Sequence, residues 1–313
     1  MFNSKMSNYP GGFKNGVMIR GVPLVQTHPG KVFWVGNAAL GSGDAYRSAS
    51  DGNQGSFNDP FSTIDKAINS CRANKGDVIF VKPGHAETLA LLEMAPDVAG
   101  VAIIGLGSGT NRPTLTMSAN ASSIVIAGAN TVMQNFLVKL TADTTIVVEV
   151  TASDVQIVDC EFRAALSPAK EWVDAIDIGG AAANACDRTV VSGCKFTSPA
   201  VGSTAAIKLS AISEGVIIEN CSVFGNFSVA PIHNPTSVVC TNLTVRDCYL
   251  KNLTTAQLAL ELVSATTGFL VRNFYATDVA GIGGVDPGSC NSFETFACDA
   301  IDVSGALAPT ITT

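Results

Sequence analysis

The sequence predicts an all-β protein built as a parallel β-helix, a solenoid in which short strands stack coil upon coil. Three observations lead to this fold class. A strand-like segment recurs along the chain at intervals near 26 residues, and apolar and polar residues alternate within it. A third observation is a turn-forming residue at the same place in each copy, which predicts a corner there.

The repeat has six copies. They are "VMQNFLV" (132–138), "VQIVDCEF" (155–162), "TVVSGCKF" (189–196), "VIIENCSV" (216–223), "LTVRDCYL" (243–250) and "FLVRNFYA" (269–276). Aligned on the residue after the turn, they lie 24, 34, 27, 27 and 26 residues apart. A period of this size is typical of stacked units that are each too small to bury their own hydrophobic face.

The turn residue of each copy is Asn, Asp or Gly, the residue types that best tolerate a left-handed backbone. These predicted corners are Asn135, Asp159, Gly193, Asn220, Asp247 and Asn273. The side chain after each corner is expected to point inward and to stack on its counterpart in the next coil. These positions are Phe136, Cys160, Cys194, Cys221, Cys248 and Phe274.

Four of the nine cysteines, Cys160, Cys194, Cys221 and Cys248, thereby form a predicted cysteine ladder with a spacing of about 4.8 Å. No Cys-x-x-Cys or histidine-containing ligand spacing accompanies them, so we interpret them as structural thiols in a position that takes a small buried apolar residue. The other cysteines lie outside the ladder, and Cys290 could pair with Cys298. An odd number of cysteines without a secretory signal predicts synthesis in a reducing compartment.

Four segments follow one another along the chain. Residues 1–31 are an extended N-terminal arm, 32–76 an N-terminal cap, 77–280 the β-helix, and 281–313 the last coil with a C-terminal tail. The cap holds an amphipathic helix, expected over 60–72, with Asn58 or Asp59 as its N-cap and Pro60 in its first turn. About nine coils are expected, and the long interval before Cys194 predicts an outward loop at 163–175.

Charge is distributed unevenly between the arm and the rest of the chain. The net charge is −7, but residues 1–43 contain four basic residues and no acid, which leaves −11 for the remainder. Such an acidic body would repel nucleic acid, and no apolar run is long enough to span a membrane. We interpret the arm as an anchor on a partner protein. Its basic and apolar anchoring residues are Phe13, Lys14, Val17, Ile19, Arg20 and Leu24.

The pattern "DG…NDPFSTIDKAI…KGDVIFVKPG" (51–84) resembles the start of pectin-lyase-like right-handed parallel β-helix proteins. With "GVMIRGVPLVQTHPGKVFWVGN" before it and "PGHAETL" after it, the segment is similar to β-helix structural proteins of tailed bacteriophages, which decorate the capsid or belong to the tail. The resemblance implies a right-handed solenoid and a virion protein, most specifically a capsid decoration or cement protein. It also implies a homotrimer whose partners are the major capsid protein or other virion proteins, assembled in the host cytoplasm.

The alternative is an enzyme or binding module that acts on a polysaccharide, in the manner of tailspikes or pectin lyases. Such chemistry needs paired carboxylates, or acids beside a basic residue that abstracts a proton. The weak candidates are Glu171, Asp174 and Asp177, which surround Trp172. Because Asp174 and Asp177 are an odd number of positions apart, they are expected to face opposite sides of a strand. A solvated or interface loop is therefore favoured over catalysis.

His85 is the remaining candidate for acid–base chemistry. It follows a Pro-Gly turn directly after a predicted strand, and Glu87 lies two residues on. A turn histidine hydrogen-bonded to Glu87 or to the backbone is favoured over proton transfer. No cofactor and no metal are expected, because the acids are dispersed. Two Trp and four Tyr are few for a groove that grips a glycan by stacking.

Overall fold

The computed structural model describes residues 30–37, 48–91, 93–166, 169–180, 182–277 and 284–298, together with three short strands at 17–19, 22–24 and 306–307. The predicted parallel β-helix is confirmed. The solenoid is right-handed, as crossover connections between parallel strands almost always are. Each coil passes through three faces in the order face 1, face 2, face 3.

Face 1 consists of parallel strands that lie between two tight corners. They are Val32–Val35, Val78–Val81, Ala102–Gly105, Val132–Gln134, Gln156–Val158, Val190–Ser192, Ile217–Glu219, Leu243–Arg246, and the second halves of Leu260–Val271 and Val285–Phe293. Each strand pairs with the next in this order.

Face 2 follows face 1 in each coil and is also parallel. Its strands are Ala86–Leu89, Thr114–Met117, Leu137–Leu140, Glu161–Arg163, Lys195–Ser203, Ser222–Phe227, Tyr249–Asn252, Phe274–Ala276 and Phe296–Cys298. The final strand Ala306–Leu307 pairs antiparallel to Phe296–Cys298. The chain therefore reverses direction at its last described strand.

Face 3 closes each coil. Its strands are Ile124–Ile126, Thr144–Val150, Trp172–Ile178, Ala205–Leu209, Ile232–His233, and the first halves of Leu260–Val271 and Val285–Phe293. Among the described residues, seven coils have a strand on every face. The nine expected coils thus correspond to seven complete ones and an incomplete one at each end. Residues 299–305, within the predicted last coil and tail, lie outside the described residues.

Side chains point alternately inward and outward along each strand, and the inward ones fill the core. On face 1 the inward positions form one column of fully buried side chains, including Ile103, Met133, Ile157, Val191 and Ile218. Parallel, in-register pairing places each of these on its counterpart one coil away. The repeated β-branched and aliphatic residues of the sequence are therefore one continuous hydrophobic core, which the neighbouring coils complete for each other.

In most coils, two corners are single residues with a positive φ. The first corner precedes face 1 at Gly76, Gly100, Asn130, Asp154, Arg188, Gly215 and Asn242. The second corner separates face 1 from face 2 at Asn135, Asp159, Gly193, Asn220, Asp247 and Arg272. The first five of these second-corner residues are confirmed as predicted.

The sixth predicted corner is wrong by one residue. Arg272 takes the corner with a φ of 52°, and Asn273 occupies the buried position next to Cys248. Phe274 then pairs with Tyr249 and points outward, with 43% of its surface exposed. Hydrogen bonds of both side chains, Arg272 and Asn273, stabilise this arrangement. Arg272 donates two hydrogen bonds to Asp247, at 2.7 and 2.8 Å, and Asn273 bonds to backbone groups inside the corner.

The capping helix is also shorter than predicted. It spans Ile64–Ile68, and its N-cap is Thr63, whose Oγ1 accepts the Lys66 N–H at 3.2 Å. The residues before it are extended because the Phe61 N–H donates to the Trp34 carbonyl oxygen at 2.9 Å. Asp51 accepts hydrogen bonds from both Ser62 and Thr63, so it fixes the start of the helix. Ile64 and Ile68 still bury the helix against the first coil, as the helical spacing predicts.

The remaining described elements are a short parallel pair, Ser213–Glu214 with Cys240–Thr241, a 3-10 turn at Gly109–Asn111, and two short hairpins. The outward loop predicted at 163–175 contains the antiparallel pair Ala165–Leu166 and Ala169–Lys170, after which the face-3 strand Trp172–Ile178 begins. In the arm, Val17–Ile19 pairs antiparallel with Val22–Leu24. Phe13, Lys14 and Arg20 of the predicted anchor lie outside the described residues. No described helix is long and apolar enough to cross a membrane.

Candidate functional site

The outward side of face 3 brings ionisable side chains from consecutive coils into one column. Strand register places these residues side by side in the order Glu149, Asp177, Lys208, His233, Glu261 and Asp286. We call this set the charged column. Because neighbouring strands lie about 4.8 Å apart, each of these groups interacts with the one before and the one after it.

Lys208 is the centre of the charged column. Its Nζ donates to Asp174 Oδ2 at 3.0 Å, and the side chain of Asp174 is only 2% exposed. Asp177, the neighbour of Lys208 in the column, accepts a hydrogen bond from the Ser210 hydroxyl. The structure thus brings two of the predicted acids, Asp174 and Asp177, to one lysine.

The expectation that Asp174 and Asp177 face opposite sides was wrong. It assumed strict alternation, but Asp174, Ala175 and Ile176 are consecutive and all buried. Alternation therefore fails between the two acids. Lys208 comes from the next coil, more than 30 residues later, and no local sequence signal links it to them.

Burial sets the protonation of this cluster. It raises the pKa of Asp174 and of Asp177, and the hydrogen bonds and positive charge around them offset this only in part. Burial and then the neighbouring charge of Asp177 raise the pKa of Glu149. The pKa of Lys208 is raised for a different reason. Burial lowers its pKa, but the hydrogen bond and charge of Asp174, with the charge of Asp177, outweigh burial.

Lys208 is consequently held as an ammonium group. A lysine that abstracts a proton needs a pKa lowered towards the working pH, and here the pKa moves the other way. His233, next in the column, lies with Nδ1 3.7 Å from Glu261 Oε2, which is too long for a hydrogen bond. Burial and then the charge of Lys208 lower the pKa of His233. Burial and then Asp286 raise the pKa of Glu261.

Glu171 and Trp172, which the sequence places beside Asp174 and Asp177, make no described hydrogen bond or ion pair with Lys208. The Glu171 carboxylate packs on Gly202, where an added Cβ would lie 2.2 Å from Oε1. Burial and then Asp143 raise the pKa of Glu171. Trp172 is fully buried, so its indole is not available to stack on a sugar ring.

His85 is a structural residue. It is 2% exposed, and its Nε2 lies 3.1 Å from Glu87 Oε2. The same carboxylate oxygen accepts the Ile64 N–H at 3.1 Å, at the start of the capping helix. The predicted hydrogen bond between His85 and Glu87 is confirmed. It connects the first coil to the helix that covers it.

The cysteine ladder lies where the sequence placed it, but its role is more than filling space. Each thiol is at most 2% exposed, and its Sγ lies near the carbonyl oxygen of a face-1 residue one coil earlier. These Sγ–oxygen distances are 3.8 Å to Met133, 3.5 Å to Ile157, 3.6 Å to Val191 and 3.7 Å to Ile218. The position takes a side chain that interacts with the strand backbone of the preceding coil, and not merely a small apolar residue.

Asn273 shows this role most clearly. Its Nδ2 donates to the Val245 carbonyl oxygen at 2.8 Å, which continues the series of carbonyl groups that the thiols approach. Its Oδ1 accepts the Cys248 N–H at 3.0 Å. The amide makes two full hydrogen bonds where a thiol makes weak ones. Cys290 carries a free thiol, and the side chain of Cys298, its possible partner, lies outside the described residues.

Three aromatic side chains stack on the outward side of face 2, in the last coils. The ring centroids of Tyr249 and Phe274 are 6.1 Å apart, and those of Phe274 and Phe296 are 5.5 Å apart. The planes are within 26° of parallel, and each residue is about 40% exposed. We call this set the aromatic stack. Sequence analysis missed it because Phe274 had been placed inside the solenoid.

In the part of the chain that the structure describes, no group of three or more His, Cys, Asp or Glu side chains is placed to hold a metal ion. No protein-family model matches the chain, and no curated protein is similar to it in sequence.

Among solved structures, the chain is similar to a rhamnogalacturonan lyase, at 12% identity and a TM-score of 0.44 over 84% of this chain and 87% of that one. It is similar to the pectate lyase Pel9A, at 11% identity and a TM-score of 0.46 over 86% and 77% of the two chains. It is also similar to an alginate lyase from Paenibacillus sp. str. FPU-7, at 14% identity and a TM-score of 0.34 over 74% and 92%. Similarity at this level carries no information on the activity of this chain.

Proposed function

We propose that this protein is a structural protein of a virion, a capsid decoration or cement protein that its N-terminal arm anchors to the shell. The observation that carries a structural role is the aromatic stack of Tyr249, Phe274 and Phe296. The virion as the location rests on the resemblance of residues 16–89 to phage β-helix proteins.

The stack suits a protein partner better than a glycan. A sugar packs on the flat face of an aromatic ring, but here the neighbouring rings cover each other's faces and leave mainly edges outward. Exposed aromatic residues are enriched at protein–protein interfaces, where they supply much of the binding energy. The stack lies at the end of the solenoid away from the arm, which provides a second contact with the assembly.

The arm and the body have opposite charges, which supports anchoring on an acidic shell protein. Residues 1–43 carry +4 and the remainder −11. A cationic arm allows an acidic body to approach an acidic surface that would otherwise repel it.

Co-sedimentation with purified particles of the virus that encodes the chain tests both contacts. Deletion of residues 1–30 is expected to abolish binding, and Phe274→Lys is expected to weaken it by about tenfold or more, since it places a charge within the stack. Thr88→Lys is the matched control, because it adds the same charge to the outward side of face 2 in the first coil. Equal binding by the truncated and full-length proteins would refute the anchoring role.

A second candidate is a polysaccharide lyase or glycan-binding module, which the convergence of Asp174, Asp177 and Lys208 favours. Elimination at a uronic acid creates a carbon–carbon double bond that absorbs in the ultraviolet. The full-length protein would be incubated with polygalacturonate and with alginate while this absorbance is followed. A rise that Lys208→Gln abolishes would replace the structural role by an enzymatic one. A flat trace is expected, because Lys208 stays protonated.

A further inference from the structure

We propose that copies of this chain associate side by side through face 1. The outward positions of this face form two columns that run along the solenoid, and most of them are apolar. From the second strand onward, these apolar residues are Val78, Phe80, Ala102, Ile104, Val132, Val158, Val190, Ile217, Phe269, Val271 and Phe293. The outward side of a solvated sheet is ordinarily polar, so a long apolar one marks an interaction surface.

Face 1 carries no net charge among its described outward residues. Its charged side chains there are Glu219 and Arg246, and they neutralise each other, with Arg246 Nε donating to Glu219 Oε2 at 2.7 Å. Among the described residues, face 2 has four outward basic side chains and one acid, namely Lys139, Arg163, Lys195, Lys251 and Glu161, and face 3 has the charged column with four acids. Two copies that met through the same face 2, or through the same face 3, would therefore bring like charges together. Face 1 is the face on which two copies can approach without that cost.

The shape of the face permits close contact. On both sides it is bounded mainly by the one-residue corners, whereas the hairpin at 165–170 projects between faces 2 and 3. Along the solenoid axis, face 1 contains nine strands, from Val78–Val81 to Val285–Phe293. At about 4.8 Å between strands and about 3.3 Å per residue, the flat area is roughly 500 Å² per copy. Two such faces bury roughly 1,000 Å², which is the lower limit for a specific interface and corresponds to a weak, concentration-dependent association.

A second copy is the occupant that fits this geometry. Each column has one residue per coil and runs straight along the solenoid axis. The side chains of the same face on another copy therefore have the same spacing and can pack against them coil by coil. Phe269 and Phe293, stacked at 6.3 Å between centroids and about half exposed, give the far end of the face two large anchors. This inference rests on the proposed function only for the idea that the protein works in an assembly. Self-association is measured on the purified protein alone, so it can fail while particle binding succeeds.

Sedimentation velocity over a concentration series tests the proposal. The full-length protein is expected to sediment as an oligomer, and Val190→Lys combined with Ile217→Lys is expected to raise the dissociation constant by at least about tenfold, since both lysines would be buried against apolar groups. Thr197→Lys combined with Ser222→Lys is the matched control. It adds the same charge in the same two coils, but on face 2.

Cross-linking provides a measurement that does not depend on the folding of the lysine variant. Gln156→Cys introduces a thiol on the outward side of face 1, and Ser222→Cys introduces one on face 2. With a short bifunctional maleimide, and with the wild-type protein as background, covalent dimers are expected from Gln156→Cys only. A wild-type monomer, an oligomer that survives the face-1 lysines, or equal cross-linking of both cysteine variants would overturn the inference.

Discussion

Replacement of Asn273 by alanine removes two buried hydrogen bonds from one corner of the solenoid. The Cys248 N–H, bonded to Asn273 at 3.0 Å, would lose its partner where Asn273 is fully buried, and the Val245 carbonyl oxygen would lose the 2.8 Å bond that it accepts in addition to its place in the parallel ladder. An unsatisfied buried backbone group costs about 1–3 kcal/mol, and a lost hydrogen bond about 1 kcal/mol. We expect Asn273→Ala to lower the free energy of unfolding by about 3 kcal/mol, with most of the cost from the unsatisfied Cys248 N–H.

Two matched variants separate hydrogen bonding from packing. Cys221→Ala truncates the same ladder position two coils earlier, where only weak thiol contacts are lost, and should cost about 1 kcal/mol. Asn273→Cys places the ladder's usual residue at 273 and should recover part of the loss. Unfolding in urea, followed by circular dichroism, gives the free energies, and hydrogen exchange at Cys248 reports the released N–H. If Asn273→Ala is no less stable than Cys221→Ala, the amide bonds do not stabilise the corner and our reasoning is wrong.

Three further predictions concern the corners, the charged column and metal ions. Gly193→Val places a β-branched residue at a φ of +66°, with its Cβ 2.4 Å from Asp159 Oδ1, whereas at Gly215→Ala the atom nearest to the new Cβ is 3.5 Å away. Gly193→Val should therefore lower the free energy of unfolding more than Gly215→Ala does, and each loss is expected to exceed about 1 kcal/mol in urea titrations. The reverse order would contradict the steric argument. Burial raises the pKa of Asp177, so its ionised form is less favourable in the folded than in the unfolded chain. Asp177→Asn should therefore increase the free energy of unfolding at pH 7, and this gain should disappear as the pH falls below the ordinary pKa of 3.8. A gain that does not depend on pH would contradict this. Chelation should leave the melting temperature unchanged, as compared by thermal scans with and without chelator; a fall that added calcium reverses would reveal an ion site.

The repeat could be predicted from the sequence because each copy is a short continuous segment. Alternation, the turn residues and the thiols all recur within eight residues, so coils and most corners follow from the sequence. The error at Asn273 shows the limit of residue preference. Asn tolerates a positive φ better than Arg does, by about 1 kcal/mol, but two buried hydrogen bonds inside the corner are worth more. Arg272 also bonds bidentately to Asp247, as Arg188 does to Asp154.

The candidate site could be predicted only in part. Asp174 and Asp177 were identified from their acidic segment, but their association with Lys208 depends on strand register across more than 30 residues, which no local pattern encodes. The outward columns were hidden for the same reason. A valine at 190 is unremarkable in its own segment, and becomes part of an apolar face only when the coils are stacked in register. The strand Val285–Phe293 contains Pro287 and Gly288, which are uncommon inside strands, so its sequence gives only a weak strand signal.

The reversed strand at the end of the chain limits how the protein can grow. A solenoid invites indefinite extension, because each exposed last coil is a template for another coil of the same direction. Ala306–Leu307 instead runs antiparallel along Phe296–Cys298, so that edge of face 2 is already paired by a strand of the wrong polarity for continued winding. At the other end, the capping helix packs its apolar side on the first strands. Continued winding of face 2 beyond Phe296–Cys298 and stacking of another solenoid on the first coil are thus both disfavoured, which opposes head-to-tail polymerisation into fibres.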